Sequence, residues 1–341
     1  MENLSLIESV YGQKPKSSKF TYKQTADNSI GQTYNRIDTF KIQKNRGAIK
    51  QFFVKITADL TVVSCMDFFG TNLFRRISLN NNTSVLEESS GDLINSRISL
   101  LEGLPLKTSI ENGLNQSSIS TATDNIVFVP LFFSFSDKNQ SLTSSYKNID
   151  NLTITLETQS SAANIGLNGS VNVLRLELIT IYEELNNNAL YLPLKSGTTL
   201  FQEDTITITA GQRYGRVLLK CPGKVINTHF LAVSSNGLVR REIYGVNLEG
   251  PNGYLLETEQ GFNYALTNTI TQDFNDCYSL IFGSHQSNYE DNDYSVYVDS
   301  CSPTYATVDL LATYVSDTNV KIISEYKISY ENDLINSKTG F

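Results

Sequence analysis

An all-β fold in two consecutive domains is what this sequence predicts, on three observations. Strand-like segments with period-two alternation recur along almost the whole 341-residue chain. The composition is rich in Asn, Ser, Thr, Tyr and Phe, with two Met and no Trp, a mix that favours strands and polar turns over helices. A polar, Gly- and Pro-bearing segment, NNNALYLPLKSGTT (186–199), divides the strand series into parts of about 185 and 150 residues, each with enough strands for an eight-stranded sandwich.

In the first part the strand candidates are AIKQFFVKITADLTVV (48–63), LFRRISLN (73–80), NIVFVPLFFSFS (125–136), NLTITLETQ (151–159) and SVNVLRLELITIYEEL (170–185). In the fourth of these, Leu152, Ile154 and Leu156 share one face and Thr153, Thr155 and Glu157 the other. SSGDLINSRISLLEGLP reads as a helix instead. Ser90 is its N-cap, Ile94, Ile98 and Leu101 step around one face, and Gly103 and Pro105 stop it. In the second part the candidates are DTITITA (204–210), GRVLLKC (215–221), VINTHFLAVSS (225–235), REIYGVNLEG (241–250), CYSLIFGS (277–284), DYSVYVDS (293–300), ATVDLLATYV (306–315) and VKIISEYKISY (320–330). No close internal sequence repeat accompanies this repetition of strands.

IVFVPLFFSFS sets a puzzle, because Pro130 interrupts the most apolar run of the chain. Alternation puts Val127, Val129, Leu131 and Phe133 on one face, and Phe128 and Phe132 flank Pro130 on the other. A proline belongs at a bulge or a sheet rim, where its missing N–H breaks no ladder bond. There it also guards an apolar strand against pairing with its own copies before assembly.

The hydrophobic content of 40% and charged content of 18% support a sizeable core. The net charge of −8 is uneven: residues 1–60 hold ten Lys/Arg against five Asp/Glu, a local +5, leaving −13 for the rest. A basic segment on an acidic body indicates one face that meets an anion, nucleic acid or lipid headgroups, unless its lysines only solvate strand faces. Cys65, Cys221, Cys277 and Cys301 lie far apart, without metal-ligand spacing, and read as small core or interface residues in a reducing compartment. Neither a secretory signal nor an apolar run near the roughly 18 residues of a membrane helix is visible.

Catalytic motifs are missing. His229 and His285 have no second ligand at metal spacing, and His229, inside the apolar INTHFLAV, reads as a satisfied structural histidine. There is no G-x-S-x-G, H-E-x-x-H or P-loop. Glu290, Asp291 and Asp293 cluster in SNYEDNDYSVYVDS (287–300), which reads as an exposed acidic loop and departs from the calcium-loop pattern. No catalytic, cofactor or metal residue is therefore expected. A β-sandwich spike or lectin-like module recognising glycans, and a jelly-roll carbohydrate enzyme, are the competing classes, both weakened by the lack of Trp.

The order of features resembles the double jelly-roll major capsid proteins of tailless icosahedral viruses, the adenovirus-type and often membrane-containing lineage. NLFRRISLNNNTSVLEESSGDLINSRISLL is similar to the strand–turn–helix passage of the first jelly roll, and FVPLFFSFSDKNQSLTSSYKNIDNLTITLETQ to the passage after it. VLRLELITIYEEL resembles the closing strand of that barrel. VINTHFLAVSSN and REIYGVNLEG…YLLETEQGFNYA resemble the early strands and connecting segment of the second, and CYSLIFGS…DYSVYVDSCSPTYATVDLLATY its late strands. The likeness runs over roughly residues 40 to 315, and SHQSNYEDNDYSVYV departs from the family's late Ser-Gly…Asn-Phe-Ser passage.

The resemblance implies an all-β double jelly roll with short helices in its connections. Its parts are a basic arm with the first strand region (1–39), a first jelly roll (40–187), a linker (188–199), a second jelly roll (200–330) and a C-terminal tail (331–341). It implies a structural subunit of the virion, synthesised in the host cytoplasm. That subunit forms a homotrimer, packs against neighbouring capsomers, penton and minor capsid proteins, and encloses an internal lipid membrane. Non-specific genome contact accompanies these partners, and no cofactor or small-molecule substrate does. Lys14, Lys16, Lys19 and Lys23 are the candidate inner-face contacts to membrane or genome. The modest length points further to a small lipid-containing bacteriophage.

Overall fold

The structure is a computed structural model. It describes residues 18–25, 33–42, 48–65, 69–81, 84–100, 121–131, 133, 152–184, 198–220, 224–250, 253–259, 278–281, 296–297 and 304–328. The first part of the chain runs β1 (Ser18–Thr25), β2 (Ile37–Lys41), β3 (Ala48–Cys65), α1 (Phe69–Asn72), β4 (Phe74–Asn81), β5 (Ser84–Ser89), α2 (Gly91–Leu100), β6 (Ala122–Leu131), β7 (Leu152–Thr158), α3 (Ala162–Ile165) and β8 (Leu167–Glu184). The second runs β9 (Thr198–Ile208), β10 (Tyr214–Leu219), β11 (Lys224–Ser234), β12 (Arg240–Arg241), β13 (Ile243–Gly250), β14 (Gly253–Glu259), β15 (Tyr278–Ile281), β16 (Val296–Tyr297), β17 (Thr304–Leu310) and β18 (Thr318–Ile328).

The two parts share one strand order. In the first, β1-β8-β3-β6 faces β2-β7-β4-β5; in the second, β9-β18-β11-β15 faces β10-β17-β13-β14. The correspondence reaches single residues. The β3–β8 ladder slips between Ile49 and Gln51, and the β11–β18 ladder slips between Val225 and Asn227. The β4–β5 hairpin slips between Leu79 and Asn80, and β13–β14 between Leu248 and Glu249. The β4–β7 pair slips between Phe74 and Arg76, and β13–β17 between Ile243 and Gly245. Each bulge inserts a residue that bends its strand and re-aims the side chains beyond it, as a sheet folding around a core requires.

Two cores result. In the first, Phe52, Val54, Ile56, Ala58 and Leu60 of β3 lie against Val127, Val129 and Leu131 of β6 and Leu152, Ile154 and Leu156 of β7. In β8 the buried positions change phase: Val171 and Val173 are succeeded by Leu176 and Leu178. The ladder explains this, since Arg175 opposes Thr57 whereas Val173 opposes Ala58, leaving Leu174 as the extra residue. The second core gathers Leu219, Phe230, Ala232, Val246, Leu248, Val308, Val320 and Ile322. Each buried Val, Leu, Ile or Phe side chain contributes about 1.5–3 kcal/mol by leaving water.

Pro130 sits where its chemistry demands. It belongs to β6, which lies at the end of its sheet among the described residues, opposite Phe53 on β3. Val127, Val129, Leu131 and Phe133 all face the core, and Phe133 meets Phe52 edge-on with centroids 6.1 Å apart. Phe132 lies outside the described residues.

The helix expected around Ser90 is present: the Ser90 hydroxyl accepts the Leu93 N–H at 3.2 Å. Ile94 is buried in the first core, as its spacing indicates, and the side chains of Ile98 and Leu101 lie outside the described residues. Gly91 at its first turn packs directly on α1. A Cβ there would stand 1.8 Å from the Thr71 carbonyl oxygen. Behind it, the Thr71 hydroxyl donates to Asn95 Oδ1 at 2.5 Å and Asn95 Nδ2 donates to Asn72 Oδ1 at 2.8 Å, so the two helices are also tied by buried polar groups.

Several elements differ from the alternation pattern of the sequence. β1, β2, β5 and β14 are strands that the pattern does not mark, and ATVDLLATYV ends as a strand at Leu310, after which 311–317 turn back into β18.

Overpacking tests the α1–α2 contact. Gly91→Ala is expected to destabilise the protein by about 2–3 kcal/mol in urea unfolding, because backbone must move to admit the methyl group. Gly211→Ala, at a left-handed turn position with open space around its Cβ, is expected to cost only the strain of that conformation, about 1–2 kcal/mol.

Candidate functional site: the joint between the two barrels

The two barrels meet through β5 and α2. β5 runs parallel to β9, with Glu87 opposite Thr199, and this bridge merges one sheet from each barrel into a ten-stranded sheet. It is the only parallel pairing among the described strands, as expected where two separately closed units join edge to edge.

α2 reinforces the bridge from one side. Leu93, next to Ile94 in sequence, points away from the first core and packs with Leu231, Ile323 and Phe201 of the second barrel. Leu231 of β11 and Ile323 of β18 lie on the side opposite Phe230 and Ile322, which line the second core, and Phe201 belongs to the neighbouring β9. One turn of helix therefore buries residues into both halves. Consecutive helical residues lie about 100° apart, so Leu93 and Ile94 can serve two surfaces at once.

A charged cluster caps this apolar contact. Lys321 Nζ lies 2.6 Å from Asp92 Oδ2 and 3.3 Å from Glu203 Oε1. Burial by itself raises the Asp92 carboxyl, but the positive charges of Lys321 and Arg240 outweigh it and hold the group below the ordinary aspartate range. Burial likewise pushes Lys321 down, yet Asp92 and Glu203 keep it above the ordinary lysine value. The Lys321 side chain retains 29% of its exposure, so water still screens the pair.

His229 is fully buried on the same side of β11 as Leu231. Its Nε2 lies 3.2 Å from Glu325 Oε2 and its Nδ1 2.8 Å from Ser279 Oγ, while Asn227 Nδ2 donates to Glu325 at 3.0 Å. A carboxylate only accepts, which assigns the ring proton to Nε2 and makes Nδ1 the acceptor of the serine hydroxyl. This is the satisfied structural histidine that the sequence indicates.

Among the described residues no group of three or more His, Cys, Asp or Glu is placed to hold a metal ion. His285, the acidic run of 287–293, Cys221, Cys277 and Cys301 lie outside the described residues, as do Lys14 and Lys16. Lys19 and Lys23 fall within β1, opposite Glu183 and Ile179 of β8. They belong to a paired edge strand of the first barrel. Sequence reasoning missed the joint: Leu93 and Phe201 carry no motif, and only the pairing of β5 with β9 brings them together.

The strand order and the shared sheet define a double jelly roll. No family model matches the chain, and no curated protein sequence matches it. Solved structures do. The PBCV-1 virus capsid protein superposes with a TM-score of 0.67 at 10% identity, covering 93% of this chain and 95% of that one. The Faustovirus major capsid protein gives 0.64 at 10% identity, over 93% and 91%. A chain of the atomic structure of Sulfolobus Turreted Icosahedral Virus gives 0.57 at 13% identity, over 93% of each chain. The chain has the double jelly-roll fold of these capsid proteins over nearly its whole length.

Two measurements probe the joint. Leu93→Ala should lower the unfolding free energy by about 2–4 kcal/mol in urea denaturation, since it leaves a cavity between Leu231, Ile323 and Phe201. The pH dependence comes from the signs. A depressed aspartate contributes above its unfolded pKa and fades in acid, whereas a raised lysine contributes below its own and fades in alkali. The stability difference between wild type and Asp92→Asn should thus be constant from about pH 5 to 9 and shrink below about pH 4, as read by chemical unfolding at each pH.

Proposed function

We propose that the chain is the major structural subunit of an icosahedral virion shell. In this reading three copies form a pseudo-hexagonal capsomer, capsomers tile with neighbours and with penton and minor capsid proteins, and the protein performs no catalysis. The observation that carries the proposal is the pair of jelly rolls with one strand order, locked side by side by a shared sheet and helix. Two such units per chain make a trimer six-cornered, the outline that hexagonal tiling needs. Close-packed sheets resist deformation, which suits a mechanical role, and obligate interfaces of this kind bury about 2,000 Å² or more.

The particle encloses an internal membrane in this reading, as a small lipid-containing bacteriophage does. The excess of positive charge in residues 1–60 supports this, with Lys14 and Lys16, ahead of β1, as the contacts to anionic headgroups. Each lysine near such a bilayer contributes about 1 kcal/mol, lost at high salt, and repetition over a shell turns weak tethers into avidity.

The test is light scattering coupled to size exclusion, then electron microscopy of the purified protein. A trimer of about three times the 38.0 kDa chain mass, with a pseudo-hexagonal outline, is the expected result. A protein that stays monomeric at all concentrations would refute the proposal.

A further inference from the structure

The joint inside the chain uses two sheet edges, β5 of the first barrel and β9 of the second. Under the shared strand order, the counterparts of these edges are β14 of the second barrel and β1 of the first. Among the described residues both lie at the end of their sheets without a further strand beside them. An uncovered edge is a row of unmet backbone donors and acceptors, a template for another chain.

The bulges set the register between them. Leu79 opposes Glu87 immediately before the slip in the β4–β5 hairpin, and Leu248 opposes Leu256 immediately before the slip in β13–β14. Glu87 therefore corresponds to Leu256. On the other side, Thr199 opposes Lys327, which opposes Lys224 one step ahead of the Val225 slip. Lys19 opposes Glu183, which opposes Ala48 one step ahead of the Ile49 slip. Thr199 therefore corresponds to Lys19. The Glu87–Thr199 bridge within the chain maps onto a Leu256–Lys19 bridge between chains.

We infer that β14 of one copy adds in parallel to β1 of a second copy, Leu256 opposite Lys19 and Thr258 opposite Thr21. Charge favours this pairing over self-pairing of either edge. β1 (SKFTYKQT) carries Lys19 and Lys23 and no acid, whereas β14 (GYLLETE) carries Glu257 and Glu259 and no base. Two β1 edges or two β14 edges would bring like charges together, whereas the mixed pair brings a basic strand to an acidic one. The contact is heterologous, so it repeats around a ring or along a filament, and three copies with two equivalent joints each close the ring. The inference rests on the reading that copies associate side by side. It assigns Lys19 and Lys23 to a neighbouring copy in place of lipid.

The experiment uses the full chain. Thr21→Cys with Thr258→Cys, mildly oxidised, is expected to give disulfide-linked species up to trimer on non-reducing gels, while wild type and each single variant stay uncrosslinked. Lys19→Glu/Lys23→Glu and Glu257→Lys/Glu259→Lys are each expected to raise the concentration for half-assembly about tenfold, and the fourfold exchange in one chain to restore it. Circular dichroism on each variant separates misfolding from lost assembly, and the fourfold variant is the internal control for it. If wild type is trimeric but no crosslink forms and the reversals leave assembly intact, the strand pairing is wrong and the capsid reading stands. The pairing is equally wrong if Lys19→Glu/Lys23→Glu trimers persist and lose only binding to phosphatidylserine vesicles. If wild type never leaves the monomer, both readings fall.

Discussion

The double-sided burial of α2 is the constraint on which the remaining architecture depends. Ile94 enters the first core, Leu93 enters the cluster of Leu231, Ile323 and Phe201, and Gly91 lets the helix sit directly on the Thr71 carbonyl. No ordinary amphipathic helix has this pattern, because one wet face would separate the barrels. With both sides dry, the helix and the β5–β9 bridge set the spacing of the two barrels. The Asp92–Lys321–Glu203 cluster adds direction to that apolar contact. With the Asp92 carboxyl lowered and the Lys321 amine raised, both partners of the short ion pair stay charged across the neutral range.

Repetition of the bulges reflects a second constraint. Three ladder slips recur at matching places in two barrels whose sequences show no close repeat. A bulge reverses the in–out phase of every later residue in its strand. Its place is therefore constrained by barrel curvature, even while the side chains around it change. Ile49 and Val225 are both buried just before their slip, yet the residues one step ahead of them are Ala48 and Lys224, which share no chemistry. Geometry is retained because losing it would turn an entire strand inside out.

Edges are handled differently at different strands. β6 carries Pro130, a residue that cannot extend a ladder, on a strand whose outward Ile126 is 44% exposed. β5 and β9 cover each other. β1 and β14 carry opposite charge, so neither invites its own kind. These devices limit the pairing of exposed strand edges with their own copies.

The all-β class, the core faces and the helix start are legible in the residues alone. Period-two alternation is local, so Val127, Val129, Leu131 and Phe133, or Leu152, Ile154 and Leu156, declare their face without reference to the rest of the chain. Ser90 declares its cap, because the bond it makes spans three residues. Short edge strands are not legible: SVLEES and GYLLETE hold too few alternating residues to stand out from turns. The place of Lys19 and Lys23 is also hidden, since only the ladder to Glu183 and Ile179 shows them in a strand. Register, bulges and the joint belong to the folded molecule. Leu93 finds Ile323, and Asp92 finds Lys321, across more than two hundred residues of chain, and no local pattern encodes a partner at that distance.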